Sequence, residues 1–305
     1  MKNNPTAPLI KDALSIRSRY VRAVNIGRDL NDANALDGYL MTDTVRHALT
    51  RLCQGLMGTS SQRAWRITGS YGSGKSAFGL FLANLFTHPI NKRSAVGRLL
   101  DEEGPELLAL TKKLPRYEVI VITGTRSDAS IALASALLEC VAQRRSSPTQ
   151  KQLVKRLTAF IVSREKGQKS PAGILALLAE VRSYLASGVN AAGGILLIVD
   201  EMGRWLEYAA DPETDVDASF FQSLAEECGG RTRDIPVSIV GILHQRFEDY
   251  TAGRRDKRSG LEWAKIAERF EDITFAQSFE STARLVAQAM ETDAHAYKQI
   301  GRAHV

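Results

Sequence analysis

"GSYGSGKS", Gly69 to Ser76, decides how the rest of the chain is read. It fills every fixed position of G-x-x-x-x-G-K-[ST], with Gly69, Gly74, Lys75 and Ser76 in place. Each residue type has its own reason. Glycines let the backbone curl so that its N–H groups point at phosphate oxygens. The lysine reaches the outer phosphates, and the serine hydroxyl binds Mg²⁺. A glycine-rich turn of no special purpose would satisfy the same letters, so the flanks matter. "RAWRIT" (63–68) alternates polar and apolar residues like a strand, and "AFGLFLANLF" (77–86) repeats bulky apolar residues at helical spacing. Strand, glycine loop and helix in that order place a helix N-terminus on an anion. The rival dinucleotide fingerprint G-x-G-x-x-G fails, because Gly72 and Gly74 are followed by Ala77 where a third glycine belongs. The expected phosphate-binding set is therefore Gly69, Ser70, Tyr71, Gly72, Ser73, Gly74, Lys75, Ser76 and Ala77.

Outward from the loop, apolar runs alternate with helical patterns. "YEVIVITG" (117–124), "GGILLIVDEMG" (193–203), "IPVSIVGILHQ" (235–245) and "EDITFA" (271–276) read as buried strands. Upstream, "TDTVRHALTRLCQGL" (42–56) offers Thr42 or Asp43 as an N-cap and sets Val45, Leu49, Leu52 and Leu56 on one face. Strands alternating with helices imply an α/β fold: a parallel five-stranded sheet with helices on both faces, whose ligands bind at the carboxyl ends of the strands. The expected organisation is a helical N-terminal extension over 1–60 and a phosphate-loop core over 61–279. A helical insertion occupies about 127–190, and a truncated helical lid begins over 280–298.

"ILLIVDE" (195–201) delivers two carboxylates, Asp200 and Glu201, at the carboxyl edge of a strand buried on both faces. A helix-capping role would explain one of them. Downstream of a complete phosphate loop both have a use. Asp200 joins Ser76 in holding Mg²⁺, and Glu201 polarises the attacking water.

The remaining composition is that of an ordinary globular chain: 305 residues, 44% hydrophobic, 24% charged, net charge +6. The mild basicity permits nucleic-acid contact without implying it. Cys53, Cys140 and Cys228 are scattered, without C-x-x-C or a histidine at metal spacing, and read as thiols in a reducing compartment. "MKNNPTAPLIKDALS" (1–15) has no signal-peptide pattern, and "AAGGILLIV" (191–199) is too short to cross a bilayer. The expectation is a cytoplasmic protein with no membrane partner. "IGRAHV" (300–305), together with Gln299, matches the translation of a sequencing adapter, so 299–305 is expected to be a non-native tail on a chain cut after Lys298.

A family resemblance emerges from the order of these pieces. Phosphate loop, second strand, hydrophobic-Asp-Glu, a further strand ending in a polar residue and then "ERFEDITFAQSFESTARLVAQAM" (268–290) resemble an AAA+ ATPase over about 61–298. The last piece resembles that family's Arg-Phe box. More narrowly, "GSYGSGKS" with "IVDEMGRWLEYAA" (198–210) resembles the large ATPases of bacterial anti-phage systems of BREX type, and origin-recognition and STAND relatives. The chain departs from the family by the roughly seventy residues between its second and third core strands. The resemblance implies ATP and Mg²⁺ as cofactors, with a polar sensor at the tip of the fourth core strand, where His244 and Gln245 both stand. It also implies that Arg269 acts as an arginine finger in a homo-oligomer, completing a neighbour's site; the bland alternative pairs it with Glu271 or Asp272. The basic run Arg254, Arg255, Lys257 and Arg258 could grip DNA or simply be solvated, and Asp211, Glu213, Asp215 and Asp217 read as a solvated loop. Defence-system proteins are the other partners implied. Two rivals remain to hydrolysis: a scaffold locked by ATP without turnover, and a small-molecule kinase, for which no acceptor site or arginine-rich lid is visible.

Overall fold

A computed structural model of the chain describes residues 14–17, 20, 22–58, 60, 62–87, 94–167, 172–188, 190–211, 213, 214, 216, 218–230, 234–246, 249, 250 and 257–292. Arg254, Arg255, Asp215, Asp217 and the segment 299–305 lie outside the described residues.

The chain opens with strand β1 (Leu14–Ile16), the short helix α1 (Ile26–Asp29) and helix α2 (Asp43–Leu56). Thr42 caps α2, its side chain accepting from the Val45 N–H, and Val45, Leu49, Leu52 and Leu56 are buried along one face. Strand β2 (Ala64–Thr68) leads through the glycine loop into α3 (Lys75–Thr87). Helices α4 (Ala95–Glu102) and α5 (Pro105–Lys112) precede β3 (Tyr117–Thr123). Between β3 and β4 (Gly194–Asp200) stand α6 (Ala129–Ala142), α7 (Pro148–Glu165) and α8 (Ala172–Leu185). Asp128 caps α6, and Ser147 caps α7 ahead of Pro148 at the first helical position. Then follow α9 (Gly203–Ala210), α10 (Ser219–Gly229), β5 (Val237–Ile242), α11 (Lys257–Glu268), β6 (Glu271–Thr274), α12 (Phe279–Ala289) and β7 (Met290–Thr292).

Five strands form one parallel sheet in the order β3-β4-β5-β2-β6. This is the sheet the sequence patterns anticipate, with the five anticipated strands in it. Two strands that those patterns do not contain, β1 and β7, pair antiparallel in a separate ribbon, Leu14 opposite Thr292 and Ile16 opposite Met290.

The sheet carries a core on each face, and side-chain alternation decides which residue joins which. Along β4, Ile195, Leu197 and Val199 join the helices α6 to α11, while Leu196 and Ile198 join α2, α3 and the N-terminal segment. A strand buried on both faces reads as a continuous apolar run, which is why "ILLIV" shows no alternation. Each such side chain stabilises the fold by about 1.5–3 kcal/mol through burial. No described helix is long and apolar enough to cross a membrane.

Register brings the functional ends together. Thr123 lies opposite Asp200, Val199 opposite Gly241, Ile67 opposite Ile242 and Thr68 opposite Thr274. The carboxyl tips of the five strands thus form one rim. On that rim β5 stands between β4 and β2, so its tip falls between the Asp200–Glu201 turn and the glycine loop.

Candidate functional site

The loop from Gly69 to Gly74 curls through backbone conformations that side chains avoid. Gly72 and Gly74 have φ of 78° and 92°, and nothing lies within 4 Å of where a Cβ would stand on either. The space above them is an open cradle facing the first turn of α3. Lys75 is only 4% exposed, and its ammonium donates to the Gly69 carbonyl at 2.8 Å and the Ser70 carbonyl at 2.7 Å. Burial pulls its pKa below the ordinary lysine value, and the charge of Asp200 opposes that fall. The ammonium is thus held inside the loop's own curl.

Ser76 donates its hydroxyl to Asp200 Oδ1 at 3.1 Å, across 124 residues of sequence. Asp200 is 6% exposed, and burial pushes its carboxyl above the usual range. The Ser76 hydroxyl and the Glu201 N–H, which donates to Oδ1 at 3.1 Å, resist that rise. A buried carboxylate beside a hydroxyl is an all-oxygen donor pair suited to a hard cation that keeps several waters. The donor set and the open cradle both fit Mg²⁺ and a nucleotide's phosphates.

Glu201 adopts a left-handed backbone, φ 53°, alone among the described non-glycine residues. Its half-exposed carboxylate lies 3.5 Å from Arg204 Nε. His244 and Gln245 are both exposed at the β5 tip. The His244 ring lies against that of Tyr71, with centroids 5.8 Å apart and planes at 35°. Tyr71 itself is 85% exposed at the crest of the loop. Ser73 passes its carbonyl to Gln277, whose side-chain amide donates to it at 3.1 Å. Nothing in the local sequence marks Gln277, which is 204 residues away.

Arg269 stands elsewhere. It lies two residues before β6, whose Glu271 lies opposite Trp65 near the start of β2, so it occupies the amino edge of the sheet. The loop occupies the carboxyl edge, about 15 Å away along strands rising some 3.3 Å per residue. The side chain pairs with Glu226 on α10 at 3.1 Å, and neither Glu271 nor Asp272 is its ion-pair partner. Those two are committed to the strand ladder: Glu271 takes the Trp65 indole at 3.1 Å and Arg51, and Asp272 takes the Thr68 hydroxyl at 2.9 Å. Phe270 beside it is buried.

No protein-family model matches the chain, and no curated protein matches it. Among solved structures, the ORC2 protein of Aeropyrum pernix in its ADPNP–ADP complexes aligns with a TM-score of 0.48 at 12% identity, over 82% of this chain and 52% of that one. The ADP form of the same protein aligns with a TM-score of 0.42 at 13% identity, over 87% and 57%. The chain spans about half the length of these structures.

Lys75, Ser76, Asp200 and Glu201 are therefore brought to one place, with His244 between their two strands. In the described part of the acidic loop, Asp211 pairs with Arg126 at 2.7 Å. Lys257 and Arg258 begin α11.

Proposed function

We infer that this chain binds ATP with Mg²⁺ and hydrolyses it, as an AAA+-type motor or switch domain. The observation that carries the reading is the hydroxyl of Ser76 on buried Asp200, with the Lys75 ammonium in the adjoining curl. Ser76 opens α3, which packs across β3 and β4, and the helix so placed sets the hydroxyl at the carboxyl tip of β4. Bound Mg²⁺ would supply charge neutralisation at the phosphate oxygens; Ser76 and Asp200 are its holders. Lys75 exchanges the Gly69 and Ser70 carbonyls for phosphate oxygens, a substitution of acceptors that costs its charge little. Glu201 takes the proton of the attacking water at a carboxylate oxygen, and His244 is the better placed sensor, since its ring already touches the loop. Arg269, at the far edge of its own sheet, serves a neighbouring chain or none.

The resemblance to anti-phage ATPases supports a larger bacterial protein as the setting, with DNA or defence proteins as partners. Steady-state ATP turnover with and without DNA tests the reading, alongside nucleotide binding by Lys75→Ala. Turnover in the wild type and lost binding in the variant are expected. Unchanged ATP affinity in Lys75→Ala would sink the site, and binding without turnover would leave a nucleotide-locked scaffold.

A further inference from the structure

The segment that leaves β6 runs against the phosphate loop and is held at three points. The Phe275 N–H donates to the Thr68 carbonyl at 2.6 Å, and the Ala276 carbonyl accepts the Thr44 hydroxyl at 2.8 Å. A Cβ on Gly69 would stand 2.5 Å from the Phe275 carbonyl oxygen, so the first glycine of the loop lies flat on this backbone. Gln277 comes next, half-buried, and its side-chain amide donates to the Ser73 carbonyl at 3.1 Å. Among the described residues no backbone N–H donates to that carbonyl. The Oε1 of Gln277 is buried with no described partner. Buried polar atoms are nearly always paired, and a methionine would fill the same space without leaving an acceptor unmet. The N–H is what distinguishes the glutamine.

We infer that Gln277 is a positioning residue for the nucleotide's inner phosphates: by holding the Ser73 carbonyl, it turns the Gly74 N–H into the cradle. This rests on the nucleotide-binding reading above. A trans peptide sets its C=O and N–H on opposite sides, so the anchored Ser73 carbonyl directs the Gly74 N–H away from the segment 275–277. That N–H donates to no described group. Gly74, at φ 92°, has no side chain to bias its backbone, and glycine moves between basins more readily than any other residue. Without the anchor the 73–74 peptide can turn over and present a carbonyl oxygen where an anion must sit. With it, the loop is ordered before ligand arrives, and the cost of ordering falls on folding rather than on binding. Backbone N–H groups of such loops cradle the α- and β-phosphates, whereas the lysine reaches the β- and γ-phosphates. ADP and ATP therefore feel the Gln277 contact alike.

The test uses the full chain and compares wild type with Gln277→Met, Gln277→Asn and Gln277→Glu. Methionine keeps the length without a donor, asparagine keeps the amide but falls a methylene short, and glutamate sets an acceptor against the carbonyl. Three quantities are read: affinity for ADP, affinity for a non-hydrolysable ATP analogue, and thermal unfolding without nucleotide. Gln277→Met and Gln277→Asn are expected to weaken ADP and the analogue equally, by about tenfold, the loss of roughly one charge-assisted hydrogen bond. Gln277→Glu should weaken both by about a hundredfold, because its carboxylate repels the Ser73 carbonyl and adds like charge near the phosphates. The unfolding temperature of Gln277→Met should stay within about 3 °C of wild type. If Gln277→Met does not fold, Gln277→Asn carries the same split between affinity and stability. Affinities within about twofold of wild type in both neutral variants overturn the inference. A loss confined to the ATP analogue also overturns it, since the contact would then serve the γ-phosphate, as does a lowered unfolding temperature with unchanged affinity, the signature of packing alone. A wild type that binds neither nucleotide removes the nucleotide-binding reading and this inference with it. A wild type that binds ADP, with indifferent variants, removes this inference only.

Discussion

Glu201 combines a chemical duty with a backbone that glycine would adopt more readily. At φ 53° the left-handed conformation costs a non-glycine residue on the order of 1 kcal/mol. Function and stability should therefore separate at this position. Glu201→Gln keeps shape and hydrogen-bonding reach but cannot take a proton. It is expected to bind ATP like the wild type and to hydrolyse it about 10²–10⁴-fold more slowly. Glu201→Gly should be equally slow yet at least as stable, by up to about 1 kcal/mol in chemical denaturation, because it relieves the strained backbone. Normal turnover by the glutamine variant would place the base elsewhere. A destabilised glycine variant would show that the Glu201–Arg204 contact outweighs the strain.

At the level of strands and helices, the site depends on how closely neighbouring tips approach. Gly124, just past β3, donates its N–H to the Asp200 carbonyl at 2.7 Å, and a Cβ there would lie 2.3 Å from the Glu201 carbonyl oxygen. Backbone cannot swing aside as a side chain can. Gly124→Ala should lower stability by about 1–3 kcal/mol in urea unfolding and slow hydrolysis more than it weakens ATP binding, because the displaced turn carries Glu201. Equal losses in rate and affinity would mean that the whole rim moves together. The same tips show what a sequence reveals of such a site. Four of the core strands were legible as short apolar or β-branched runs bounded by turns, β2 by its polar–apolar alternation ahead of the glycine loop, and the loop because its glycines, lysine and serine fall at fixed positions within eight residues. Leu14–Ile16 and Met290–Thr292 were not: three residues carry no period, and their pairing joins segments over 270 residues apart. Glu226 as the partner of Arg269, and Gln277 on the Ser73 carbonyl, required the sheet order to place their elements side by side. Contacts made only by folding leave no local trace.

For the molecule as a whole, the position of Arg269 is a statement about company. It cannot reach its own phosphate loop, and its pair with Glu226 is half exposed on both sides, worth under about 1 kcal/mol. The side chain is therefore cheaply released. If chains complete one another, turnover per chain should climb with protein concentration, and Arg269→Ala should bind ATP, unfold within about 1 kcal/mol of wild type and remain slow at every concentration. An arginine finger can be worth 10³–10⁵ in rate, so the contrast is large. A concentration-independent rate, unchanged by the substitution, would describe a chain that works alone. Helix α12 adds a mechanical aspect to this picture. Just before it, the Gln277 amide holds the Ser73 carbonyl, and at its far end β7 is laced to β1. Eleven residues of helix make a strut of about 16 Å between those two anchors. A strut fastened at both ends transmits push and pull, so a phosphate loop that shifts as it fills would tug on β1, and load applied to β1 would be felt in return by the loop.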